Sequence, residues 1–402
     1  MRETLNELEQ WGTEVIFGRA RGFRASVMRV LLWSLSGIYR FGVAKRLGRY
    51  RSGAKPQHYL GTQVISIGNL TVGGTGKTPV VELFARTLCD RGRKPAILSR
   101  GYKSKKMSHA QHWQGRISGE PIPAEQMPKV VSDGGEPLLK VKYAGDEPWM
   151  LAKNLPGVAV VVDKDRVKGG AFAVGELEAD TLILDDGLQY LNLAHSIDVV
   201  LVDQGSPFGT GQMLPRGTLR EPARNLTRAD YIFITKCDGS SNEQLIRKMR
   251  KFNKNAEIIE CTHGPKHLEN LFTGERAPLE FLNDKYVAAI SGIAVPQSFE
   301  KILDKLGAQV EFHRVFSDHH SFNQKEIDRF MRRCVERDIE VIITTEKDAV
   351  RFMRPAELDV PVYFLRIEVE ILKGEEVWNK IIERICCEKP TADHLLLREL
   401  AG

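Results

Sequence analysis

Short apolar runs alternate with helical stretches along most of this chain, and the alternation begins after Pro56. Residues 64–67 (VISI) predict a buried strand that leads into a glycine-rich turn. Residues 79–91 predict a helix with Pro79 in its first turn, where a missing N–H costs little. The runs 96–98, 158–162, 181–184, 198–202 and 231–235 predict further strands. Strands that end in Asp, Gly or Ser and alternate with helices imply a mostly parallel sheet covered by helices on both faces. A second series starts near Lys285, with strands predicted at 286–290, 309–315 and 341–344 and helices at 296–306 and 324–337. The expected organisation is an arm over 1–55, an α/β domain over 56–240, a less regular connection over 241–284, and a smaller α/β lobe with the C-terminal segment over 285–402.

The arm has its own pattern. Val27, Val30, Leu31, Leu35 and Ile38 recur at helical spacing and predict an amphipathic helix. Trp33, Tyr39 and Phe41 add rings of the kind that favour a water–lipid interface. Charge sharpens this picture. The net charge of +6 is modest, yet no Asp or Glu occurs between Glu14 and Glu82, an interval that holds eleven Lys or Arg. The rest of the chain carries 47 basic against 52 acidic side chains, so the positive charge belongs to one end. The uncharged run 30–39 is far short of the roughly 20 residues that cross a bilayer. A helix lying on an anionic leaflet is expected, since each arginine near such a surface contributes about 1 kcal/mol. A basic arm for nucleic acid is the weaker reading, because charge alone does not distinguish polyanions. Composition is otherwise that of a globular protein, with 42% hydrophobic and 27% charged residues. The six cysteines show no CxxC or Cys/His spacing for zinc and fit a reducing cytoplasm.

The firmest chemistry lies in VISIGNLTVGGTGKTP, residues 64–79. Gly73, Gly74, Thr75, Gly76, Lys77 and Thr78 follow a predicted strand and open a predicted helix, the context a phosphate loop requires. Glycines let successive N–H groups point into one concavity, and the helix N-terminus adds partial positive charge. Lys77 is expected on the β- and γ-phosphates of ATP and the Thr78 hydroxyl on Mg²⁺. Thr71 stands where the common pattern has its first glycine, which leaves the GGxGKT variant. The fold class that follows is α/β, a P-loop NTPase-like doubly wound sheet with a second, smaller lobe and an N-terminal amphipathic helix.

Acidic groups supply the rest of a transfer site. Asp185 and Asp186 end the apolar run TLIL, where strand ends face the same crevice as a phosphate loop, so one of them is the expected second anchor for Mg²⁺. Asp146 and Glu147 in GDEP precede a helical stretch; Asp146 is either a helix cap or the proton acceptor that phosphorylating a hydroxyl needs. Asp318-His319-His320 is either a surface pair or a histidine tuned by a carboxylate. Arg100, Arg166, Arg216, Arg220 and Lys347 are basic residues in expected loops.

The strings GNLTVGGTGKTP, SRGY, GDEP, DKDR, DDGLQ, LPRGTLREP, RADYIFITK, FSDHH and TTEKD, in this order over about 64–350, resemble the tetraacyldisaccharide 4′-kinases, the lipid A 4′-kinases of Gram-negative envelopes. The resemblance implies transfer of the ATP γ-phosphate to the 4′-hydroxyl of a tetraacylated glucosamine disaccharide 1-phosphate, in a cleft between the lobes. By the same resemblance Asp146 matches the proposed base and His319 its partner. Arg220 matches an arginine near the phosphates, and Glu147, Asp185 and Asp186 match acidic positions associated with the metal. It further implies a peripheral protein of the cytoplasmic face of the inner membrane; a monomer without nucleic acid is expected. Two positions depart from the family's usual residues, Leu188 for Phe and Arg216 for Ala. The alternative is a membrane-associated P-loop NTPase switch of the partitioning or targeting type. Thr235-Lys236-Cys237-Asp238 echoes the string that reads guanine in GTPases, whereas Val72 replaces the lysine usual in partitioning ATPases.

Overall fold

The computed structural model describes residues 8, 11–101, 104–105, 127–293, 296–317, 320 and 322–387. In chain order the strands are β1 (Gln63–Asn69), β2 (Pro95–Ser99), β3 (Lys129–Asp133), β4 (Ala159–Val162), β5 (Thr181–Asp185), β6 (Ile197–Asp203) and β7 (Tyr231–Thr235). They continue with β8 (Glu257–Asn270), β9 (Arg276–Ala277), β10 (Tyr286–Ser291), β11 (Gln309–Val315), β12 (Val341–Thr345) and β13 (Val362–Lys373). These elements group into two compact units. The first takes the chain up to Ser99, Asp165–Thr262 and the chain from Ile371; the second takes Arg100–Lys164 and His263–Glu370.

In the first unit the strand order is β8-β7-β6-β1-β5-β2, and every neighbouring pair is parallel. β1 is buried along its whole length, as a central strand of a parallel sheet must be, and its Val64, Ile65 and Ile67 supply the apolar part of that burial. The helix Lys77–Asp90 turns Val80, Val81, Phe84, Ala85 and Leu88 inward. Phe84 meets Phe233 of β7 at 5.8 Å and stands edge-on to Trp378 at 4.7 Å between ring centroids. Trp378 belongs to the helix Glu375–Cys387, which also buries Ile381, Ile382 and Ile385. Each such buried ring contributes about 2–3 kcal/mol, which ties the end of the chain to the phosphate-loop helix.

The second unit orders β11-β10-β12-β13, again parallel. Alternate residues of β10 face opposite ways: Val287 and Ala289 pack with Phe299 and Leu303, Ala288 and Ile290 with Ile327, Phe330 and Met331. Helices therefore cover both faces of this sheet, as the sequence pattern predicts. The helix Gln324–Val335 starts at a capping box between Asn323 and Glu326. The irregular stretch 241–284 holds more order than its sequence suggests, namely the helix Glu243–Arg250 and the fourteen-residue β8.

The predicted arm helix is Phe23–Arg51, 29 residues or about 43 Å long. Its inner face buries Ala25, Ser36, Leu47 and Tyr50. Phe23, Val27, Val30, Leu31, Ile38 and Phe41 lie on the opposite face and are exposed, Phe23 at 83% and Ile38 at 71%. No helix among the described residues is long and apolar enough to cross a membrane.

Candidate active site

In the first unit the site is built on the ends of β1, β5 and β7. After Asn69 the chain forms the predicted loop, and the helix begins at Lys77 with Gly76 as its cap at φ +80°, a left-handed conformation that glycine adopts freely. Gly73 lies at φ +121°. Thr71 needs no glycine because its backbone is held extended and buried: Val72 N–H donates to Thr218 O at 2.8 Å and Arg220 N–H to Leu70 O at 2.8 Å. That pairing also sets Arg220 beside the loop.

The carboxylates follow β5. Asp185 is buried at the strand end and accepts from the Ser99 hydroxyl at 3.3 Å. Asp186 adopts φ +56°, uncommon for a residue other than glycine. Its two oxygens take Nη1 of Arg220 at 2.8 and 2.7 Å, and Nζ of Lys77 lies 3.5 Å away. Burial pushes the Asp186 carboxyl up, but Lys77 and then Arg220 outweigh it and hold the group below the usual carboxylate range. Lys77 also donates to Asn69 Oδ1 at 3.2 Å. Arg220 touches Gln189 at 3.3 Å, and Gln189 reaches Asn69 O at 3.1 Å. The structure thus gathers Lys77, Asp186 and Arg220, and adds Asn69 and Gln189, which had no signal beyond their place in the strings GNLT and DDGLQ.

The TKCD string lies under the loop. Thr235 donates to Thr75 O at 2.8 Å, while Lys236 donates to Gly74 O at 2.5 Å and pairs with Asp203 at 2.7 Å. Thr75 N–H donates to Gly73 O at 3.1 Å, and carbonyls tied down from below let the remaining loop N–H groups face a phosphate. The Thr75 hydroxyl is buried without a hydrogen-bond partner among the described residues, an orphan that an added phosphate oxygen would satisfy. Thr78, Asp185 and Asp186 offer hard oxygen donors of the type magnesium takes. No group of three or more His, Cys, Asp or Glu among the described residues forms a ready cage.

In the second unit GDEP and TTEKD come together. The helix Asp146–Asn154 is capped by Gly145 without a side-chain bond, so Asp146 does not act as its cap. Instead Asp146 Oδ2 lies 3.4 Å from Nε of Arg351, and Glu147 lies 3.7 Å from Nζ of Lys347. His319, the predicted partner of Asp146, lies outside the described residues. His320 pairs with Glu326 at 3.0 Å and stacks on Phe316 at 4.5 Å.

The remaining basic residues have separate places. Arg100 is exposed. Arg166 in DKDR is buried over the ring of Tyr190. Asp165 caps the helix Arg166–Glu176. Arg216 belongs to the arm's attachment: its N–H donates to Ser36 Oγ at 3.0 Å and its guanidinium to Ile16 O at 3.2 Å. Leu188 is buried with its Cβ so close to Gly68 that a side chain there would clash at 2.6 Å.

Comparison with known proteins extends this local picture to nearly the whole chain. A crystal structure of LpxK from Aquifex aeolicus in complex with ATP superposes with a TM-score of 0.69 at 30% identity, covering 89% of this chain and 99% of that one. The tetraacyldisaccharide 4'-kinase of Anaeromyxobacter dehalogenans is 38% identical over 91% of this chain and 93% of its own length. That of Syntrophus aciditrophicus is 35% identical over 89% and 93%. The family model for tetraacyldisaccharide-1-P 4'-kinase matches residues 28–386. Matched from the arm helix to the C-terminal helix, this chain belongs to the tetraacyldisaccharide-1-P 4'-kinase family.

Proposed function

We propose a residue-level course for the reaction of this kinase, transfer of the γ-phosphoryl group of ATP to the 4′-hydroxyl of a tetraacylated glucosamine disaccharide 1-phosphate. The observation that carries it is the phosphate loop with Lys77, Asp186 and Arg220 gathered at its mouth. Loop N–H groups and Lys77 bind the β- and γ-phosphates, and Arg220 adds positive charge beside Asp186. Asp146 takes the proton of the acceptor hydroxyl as its oxygen bonds to phosphorus, with His319 as partner, and ADP leaves with the electrons of the broken P–O bond. Thr78, Asp185, Asp186 and Glu147 are the residues for Mg²⁺, which when bound neutralises charge on the phosphate oxygens. Family membership favours this kinase over an NTPase switch. Incubation with labelled ATP and a panel of lipid A precursors tests the assignment, with product mapped by mass spectrometry. Phosphate is expected on the 4′ oxygen; phosphate on another oxygen overturns it.

The arm helix is proposed to rest on the anionic cytoplasmic leaflet of the inner membrane. Its exposed face carries Phe23, Val30, Ile38 and Phe41, while Lys45, Arg46, Arg49 and Arg51 cluster at its C-terminal end. Co-sedimentation with phosphatidylglycerol-rich vesicles should fall roughly tenfold for each of Phe23→Ser, Ile38→Ser and Phe41→Ser. Unchanged vesicle binding by the triple variant would remove the helix from the membrane surface.

A further inference from the structure

The TTEKD string continues as Ala349-Val350-Arg351, and Arg351 has no role in the course set out above. Its side chain is only 7% exposed. Nη2 donates to Asp348 Oδ1 at 2.5 Å, and Nη1 donates to the backbone carbonyl of His320 at 2.6 Å. Nε lies 3.4 Å from Asp146 Oδ2 and makes no hydrogen bond among the described residues. One planar cation therefore joins the candidate base, the residue next in the chain to His319, and a buried acid.

That buried acid is fixed in turn. Asp348 is fully buried, and its Oδ2 accepts from Gly292 N–H at 2.8 Å and from the Thr345 hydroxyl at 2.6 Å. Gly292 sits so close that a Cβ would lie 3.1 Å from both Asp348 and the Ser317 carbonyl. The guanidinium is thus anchored to the end of β10 through Asp348, and two of its edges point at acceptor-side chemistry. A buried ion pair costs desolvation and is poor evidence for stability by itself. Its geometry suits positioning, because only a guanidinium fork reaches three acceptors in fixed directions. The contact of Nε with Asp146 is a charge pair and not a hydrogen bond, so it orients that carboxylate electrostatically.

We infer that Arg351, held by Asp348, is a positioning residue that sets the Asp146 carboxylate and the His320 backbone carbonyl in one arrangement for deprotonating the acceptor hydroxyl. This deepens the proposed function and rests on Asp146 being the base. Arg351→Lys keeps the charge but not the fork. Its kcat on the tetraacyldisaccharide 1-phosphate should fall on the order of 10²-fold, the cost of misplacing a reacting group by about 1 Å. Its KM for ATP should stay within about twofold, because the nucleotide's own contacts are unchanged.

A double-mutant cycle with Asp146→Asn separates the two claims. If Arg351 works through Asp146, Arg351→Lys costs almost nothing further once the base is gone. A full additive loss, or wild-type turnover by Arg351→Lys, overturns the positioning role while leaving the base assignment intact. Wild-type turnover by Asp146→Asn overturns the base assignment and this inference with it. Should Arg351→Lys fail to fold, Asp348→Asn serves in its place. It loosens the guanidinium's anchor, and its loss must likewise vanish in the Asp146→Asn background; persistence of that loss overturns the inference.

Discussion

Asp146→Ala should lower turnover on the lipid acceptor by about 10²–10⁴-fold, the range that a positioned general base contributes. The residue lies in the first turn of its helix, whose N-cap is Gly145. Its removal leaves Arg351 without the carboxylate 3.4 Å from its Nε. Arg351 keeps Asp348 and the His320 carbonyl, so the fold should survive. The variant's thermal midpoint should therefore stay within a few degrees, about 1 kcal/mol in a chain this long. ATP affinity, measured by titration calorimetry, should be nearly unchanged. Undiminished phosphorylation of the lipid by a folded variant would show that the proton goes elsewhere.

Lys77→Ala should cost about 10²–10³-fold in kcat/KM, the scale for losing one preorganised group that stabilises developing charge. Lys77 opens the helix at the mouth of the phosphate loop and is held by Asn69 at 3.2 Å and Asp186 at 3.5 Å. The ammonium is therefore placed before ATP arrives, and little ordering remains to be done on binding. Folding should change little, since Asp186 keeps both contacts from Arg220. Unlike Asp146→Ala, this variant should also bind ATP more weakly, because Lys77 contacts the nucleotide in the ground state as well. Steady-state kinetics with varied ATP distinguishes the two patterns. A Lys77→Ala enzyme with wild-type kcat/KM would mean that the phosphates are bound elsewhere.

The loop itself was fully legible, because glycine, lysine and threonine at fixed spacing after an apolar strand act through local backbone geometry. Most strands and helices were equally legible, to within two or three residues, from apolar runs and periodicity. β3, β8, β9, β13 and the helices Arg166–Glu176, Glu243–Arg250 and Glu375–Cys387 were not. β8 mixes polar and apolar residues without a clean period, and the helix Glu375–Cys387 shows nothing local of its attachment to Phe84 and Phe233. Arg216 shows the same limit: in the sequence it is a basic loop residue that departs from the family's usual Ala, and only the fold shows its bonds to Ser36 and Ile16.

By itself the sequence determined the α/β class, the phosphate loop, the acid-free arm and the acidic positions at strand ends. Each depends on neighbours a few residues apart, so each leaves a mark in composition or spacing. Tertiary structure alone decided that Arg220 pairs with Asp186, that Thr235 and Lys236 hold the loop from below, and that Arg351 lies beside Asp146. Those pairs are separated by 34 to more than 150 residues. A charge does not encode which distant charge it will meet; sheet register and side-chain packing decide that.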